Sequence, residues 1–248
     1  MSPWLAATGA LPSIAAMLYV DRLDAKRPEP PRTLRLVALA GGASVAACAA
    51  VQWAVSWALP SGGYVGALAQ AFIAAAAVEE AAKALCLRAV VWNRPELDER
   101  MDCLVYATRA GLGFALVENV WYLLRAESLP AFVVTYAARA VLTVPMHAVS
   151  AALMGAFAAR RRFDGAGPGP LGGYAVAVAL HGAFDAGLFS SVVAASRGQV
   201  ALSLALLLVP AAIAALGVVA MRKTAAALVE ADDRGVVTRR RQRLTFFG

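Results

Sequence analysis

The sequence predicts an all-α fold: a polytopic transmembrane helical bundle of about seven spans, N-terminus outside and C-terminus cytoplasmic. Three observations lead there. Of the 248 residues 60% are hydrophobic and only 16% charged, and mean hydropathy is +0.65; a soluble domain has about 45–50% apolar and about 25% charged residues. Apolar runs near 3–20, 35–59, 64–91, 103–124, 130–158, 171–195 and 199–221 reach or approach the ~20 residues that cross a bilayer. They lack the alternation of a barrel strand, so helices are expected. The Lys/Arg counts of successive connections and the tail run 5, 0, 3, 1, 3, 1, 7, an alternation that fixes the orientation.

In chain order, "MSPWLAATGALPSIAAMLYV" has no basic region before its apolar stretch, so a retained first span is expected and not a cleaved signal. Pro12 is tolerated there, as prolines in membrane helices often are. The connection 21–35 is basic, whereas 60–63 between spans two and three carries no Lys or Arg. Spans four and five should form a hairpin turning near Ser128 and Leu129. Residues 1–221 read as one transmembrane domain and 222–248 as a flexible basic cytoplasmic tail. The net charge of +7 sits in loops and tail, which points to anionic lipid and not to nucleic acid. Cys48, Cys86 and Cys103 form no CxxC pair and are expected to be small apolar fillers.

Ionisable groups within spans are costly, about 2.5–3.5 kcal/mol each at the bilayer centre on an insertion scale. The spans nevertheless hold Glu79, Glu80, Lys83, Arg109, Glu118, Asn119, Arg139, His147, His181 and Asp185. In "AAAAVEEAAKALCL" the helical period of about 100° per residue puts Glu79, Glu80 and Lys83 on one face. A salt bridge from Glu79 to Lys83 would explain one glutamate and leave the other. In "HGAFD" Asp185 stacks one turn from His181 and can orient its imidazole. His147 follows Pro145, whose missing N–H can kink the span and aim the ring inward. Both histidines of the chain lie in spans.

Depth tests whether these groups meet. At about 1.5 Å per residue, Glu79 lies ~14 Å from Arg88, His147 ~20 Å from Arg160 and His181 ~15 Å from Leu171. A carboxylate and two imidazoles thus reach a similar level on three spans. Glu118 and Arg139 are equidistant from the span four–five turn, which predicts a bridge between them in the outer half, structural first and catalytic as the alternative. Arg109 falls near the level of Glu80, as a candidate partner keeping that carboxylate charged. Gly111 and Gly113 should allow close helix approach.

The segments "ALPSIAAMLYVDRLDAKRPEPP", "EEAAK", "DCLVYATRAGLGFALVENVWYLL", "RAVLTVPMHAVSAALMG" and "HGAFDAG" resemble, in order, the PrsW family of intramembrane proteases, itself distantly similar to the type II CAAX prenyl endopeptidases. The resemblance covers most of the chain to about residue 190. It departs at Ala107–Arg109, where the family commonly has a glycine after the tyrosine. It implies hydrolysis of peptide bonds in membrane-anchored protein substrates, regulators such as anti-sigma factors among them, in the cell membrane. By position, Glu79 and Glu80 take the glutamate roles and His147 and His181 the histidine roles. Asp185 fills a place often held by Asn or Asp.

Amide hydrolysis needs an activated water, a stabilised oxyanion and a protonated leaving amine. Glu79 is the expected general base. His147 and His181 would donate to the oxyanion or shuttle the proton, Asp185 would hold His181, and Lys83 and Arg109 would keep the glutamates charged. No cofactor is required by this scheme. Zinc held by Glu79, His147 and His181 is the open alternative, although an HExxH motif is missing. Two other function classes stand beside it: a proton- or ion-coupled transporter, for which no internal repeat is visible, and an inactive membrane scaffold. Oligomeric state is not legible.

Overall fold

In a computed structural model, residues 2–234 are described. Among them every regular element is helical, and they assemble as seven rods. These are α1 Pro3–Leu23, α2 Pro31–Ser56, α3 Gly63–Val90, α5 Leu129–Asp164, α6 Gly169–Ser196 and α7 Val200–Asp233, with α4 Arg100–Leu124 between α3 and α5. Six of the seven, all but α4, are long and apolar enough to cross a membrane. α4 is the more polar rod and lies at the centre, its residues from Arg100 to Ala115 almost continuously buried. A helix carrying Arg100, Asp102 and Glu118 is placed in a bilayer protein only if other helices cover it, and α1, α2, α5 and α7 do so.

Start signals are those the sequence supplies. Prolines open α1 and α2, where a missing N–H costs nothing. Ser128 caps α5 by accepting from the Ala131 amide at 3.3 Å. Asp102 accepts the amides of Asp98 and Glu99 at 2.8 and 2.6 Å, which fixes the first turn of α4. Small residues then set helix spacing. A Cβ on Gly113 would collide with the Ala38 backbone of α2, and one on Gly111 with the His147 carbonyl of α5. Both expected close approaches are therefore present.

Two features depart from the sequence reading. Residues 222–233 are not tail but the continuation of α7. Asp232 accepts from the amides of Arg100 and Met101 at 3.2 and 3.1 Å and from the Arg100 guanidinium at 3.1 Å. Arg100 also grips Asp164 at the end of α5. The first two amides of α4 thus anchor α7; the remainder of the expected tail lies outside the described residues. Second, α3 and α5 each contain a π-helical stretch, Gln70–Ala77 and Arg139–Thr143. Each immediately precedes the site-bearing turns and re-phases them, a placement common at functional sites. Cys48, Cys86 and Cys103 are free and buried, as expected of fillers.

Candidate active site within the membrane

α3 contributes Glu79 and Glu80, which directly follow its π stretch. α5 contributes His147, α6 contributes His181 and Asp185, and α4 contributes Glu118. Glu80, Lys83, His147 and His181 are each no more than 2% exposed. The predicted convergence is met: one ligand-type atom from each of Glu79, His147 and His181 lies within 4.8 Å of the others, and the two imidazole centroids are 5.3 Å apart at 83°.

Glu80 Oε1 gathers the donors. It accepts from Lys83 Nζ at 2.6 Å and Ser150 Oγ at 3.2 Å and meets His181 Nδ1 at 2.7 Å. Lys83 therefore pairs with Glu80 three residues away, and the Glu79–Lys83 bridge, the alternative that would have left one glutamate unexplained, does not form. Lys83 Nζ also sits 2.8 Å from His147 Nδ1. An ammonium can only donate, so Nδ1 accepts and the His147 proton resides on Nε2, which faces Glu118 Oε2 at 3.0 Å. That proton chain runs from Lys83 through the ring to Glu118. Beyond it, Arg139 donates to Glu118 at 2.6 Å and to Asn119 Oδ1 at 2.6 Å. The predicted Glu118–Arg139 bridge is present, yet Glu118 is more than a structural outpost because it touches His147. Asn119 acts through Arg139, steadied by its own bond to the Gly9 carbonyl at 3.3 Å.

Glu79 is held differently. Gln52 of α2 donates to its Oε1 at 2.9 Å. Its Oε2 is buried without a hydrogen-bond partner and lies 3.8 Å from His181 Nε2. Asp185 Oδ2 is 3.3 Å from the same nitrogen. His181 is thus oriented at Nδ1 by Glu80, with Asp185 meeting Nε2. The orienting role expected of Asp185 is shared.

Arg109 corrects the depth argument. It pairs with Asp21 at the end of α1, and the cation serving Glu80 is Lys83. Equal depth placed Arg109 at the right level but could not tell which way its rod turned it. Sequence reasoning also missed Gln52 and Ser150. Each carried a weak signal: Gln52 as a polar residue mid-span in "AAVQWAV", Ser150 as the residue one turn after His147.

The charge inventory bears on a metal. Four carboxylates (Glu79, Glu80, Glu118 and Asp185) face two fixed cations, Lys83 and Arg139. With neutral imidazoles that leaves two negative charges in a largely buried site, which a divalent cation or two protons would balance. The orphaned Glu79 Oε2 and the carboxylate behind His181 Nδ1, a frequent support for a metal-binding histidine, fit a zinc-type donor set. His147 fits at a cost, since both its nitrogens are already engaged.

Residues 29–221, most of the chain, match the family described as PrsW family intramembrane metalloprotease. Protease PrsW of Geobacillus kaustophilus is 31% identical over 159 residues, covering 64% of this chain and 67% of that protein. Protease PrsW of Oceanobacillus iheyensis is 31% identical over 59% of this chain and 64% of its own length. The Clostridioides difficile protein of that name is 32% identical over 42% of this chain and 43% of its own length. No solved structure matches the chain.

Proposed function

The chain belongs to the PrsW family of intramembrane proteases, and we propose that it hydrolyses peptide bonds of membrane-anchored proteins at the site built by Glu79, Glu80, His147 and His181. The observation that carries this reading is the meeting of the Glu79 carboxylate from α3 with imidazoles from α5 and α6 within 4.8 Å, at a depth where none of these groups is needed to make a helix. On the orientation given by the Lys/Arg distribution, the N-terminus is outside and the cytoplasmic end carries Arg100, Asp232 and the α1–α2 loop.

Glu79 is the base. Gln52 fixes one of its oxygens and leaves the other free to take a proton from water. His181 Nε2, between Glu79 and Asp185, receives that proton and passes it to the leaving amine. Glu80 keeps the His181 ring in place through Nδ1 and balances Lys83. The His147 Nε2–H and the Arg139 guanidinium, both now directed at Glu118, supply donors on the Glu118 side of the site for a developing oxyanion. A metal, if bound, would be held by Glu79, His147 and His181, and would supply Lewis acidity and a more acidic bound water.

The test is cleavage of a reporter carrying one transmembrane segment by the purified protein in vesicles. Wild type should cut; the Glu79→Gln, Glu80→Gln double variant and His181→Ala should not. Cleavage by the double variant would overturn the assignment. Chelation with zinc add-back separates the two forms of the site: full activity after verified metal removal ends the zinc version, and loss reversed by zinc ends the metal-free one. Substrates such as anti-sigma factors are the proposed class, sought by comparing membrane-anchored proteins in cells with and without the double variant.

A further inference from the structure

A second group of carboxylates lies far from the membrane site, where the loop after α1 meets the first turn of α4. Asp24, Glu29 and Asp102 each bring an oxygen within 4.8 Å of the others. Asp24 is 3% and Asp102 1% exposed. Like charges this close and this dry repel, and something must offset them.

Three of the neighbouring cations have other carboxylate partners, and a fourth, Arg35, lines the adjoining cavity with Asp24 and Glu29. Arg27 binds Glu99 and Asp233, Arg100 binds Asp164 and Asp232, and Arg109 binds Asp21. Within the cluster, Asp102 takes the Asp98 and Glu99 amides and Glu29 takes the Tyr106 hydroxyl. Asp24 Oδ2 is the exception: it is buried and has no hydrogen-bond partner, although a buried acceptor left unsatisfied is destabilising, the more so when charged.

We infer that Asp24, Glu29 and Asp102 bind one hard divalent cation, Mg2+ or Ca2+, which ties the α1–α2 loop to the N-terminus of α4. The donor set is all oxygen, as these ions require and zinc does not favour. Two oxygens on opposite sides of a Ca2+ ion stand roughly 4.6–5.2 Å apart, twice its bond length, a span that the three donors fall within. A cavity of about 320 Å3, lined in part by Asp24 and Glu29, has room for the water ligands that Mg2+ in particular retains. The site is independent of the protease chemistry proposed above.

Full-length protein in detergent, stripped with EDTA, would be titrated calorimetrically with CaCl2 and separately with MgCl2, and its thermal unfolding followed with each. The expected result is one ion per chain and a raised melting temperature, with affinity weakened about tenfold or more by Asp24→Asn and unchanged by Glu79→Gln. The cation giving the larger effect identifies the preferred ion. If Asp24→Asn fails to fold, Glu29→Gln takes its place. Absence of binding by both cations overturns the inference, as does binding that Glu79→Gln abolishes or that the cluster variant leaves intact.

Discussion

Replacing Lys83 by Met gives the sharpest view of how the buried charges hold one another. Lys83 is fully buried and donates to Glu80 at 2.6 Å and to His147 at 2.8 Å. Taking one partner from a buried ion pair typically costs about 3–5 kcal/mol, because the other charge stays behind unpaired. Here the loss should fall near the lower end, about 3 kcal/mol, since Ser150 and His181 still address the same Glu80 oxygen. Glu80→Gln in the same background removes the stranded charge. The double variant should therefore be more stable than Lys83→Met alone by about 1–3 kcal/mol, a coupling typical of residues in one network. Equilibrium unfolding in mixed SDS–detergent micelles measures both. Cleavage should remain lost in both variants, because His147 Nδ1 no longer has its donor. Unchanged stability in Lys83→Met, or a double variant weaker than the single one, would refute this account of the network.

Gln52→Leu removes the donor that fixes Glu79; cleavage should fall about 10–100-fold, as for other outer supports of a site, with reporter binding unchanged, read as kcat against KM. Arg109→Gln should leave the cleavage rate at the wild-type value, because its partner is Asp21; a rate as low as that of Lys83→Met would restore Arg109 to the site. Gly113→Val forces a branched side chain onto the Ala38 backbone and should cost about 1–3 kcal/mol or more, seen as a lower unfolding midpoint. Asp232→Ala takes one of two carboxylates from the Arg100 guanidinium and the acceptor from two α4 amides. Its expected cost is about 3 kcal/mol, with faster amide exchange at the start of α4 and the end of α7.

What could be read from the residues was whatever depends on position along a single rod. Span number, the polar groups buried within them and their depths follow from hydropathy and a fixed rise per residue. So does the Glu118–Arg139 bridge, since both residues count back from one short turn. Depth also brought Glu79, His147 and His181 to one level, and the bundle brings one ligand-type atom from each within 4.8 Å of the others.

Rotation about each rod, and the partner found there, needed the assembled bundle. Arg109 shares a level with Glu80 but turns to Asp21, while Lys83 passes over Glu79 for Glu80. The π stretches before Glu79 and before His147 shift the phase on which a 100° rule relies, and nothing in "QAFIAAAA" or "RAVLT" announces them. Gln52 and the long α7 were hidden for the same reason: a lone amide and a C-terminal aspartate acquire meaning only from Glu79 and from the first two amides of α4. A single chain specifies which charges enter the membrane, because hydration energy makes each one conspicuous. Which charge answers which is set by packing, because hydrogen bonds act over about 3 Å and only the assembled bundle brings atoms that close.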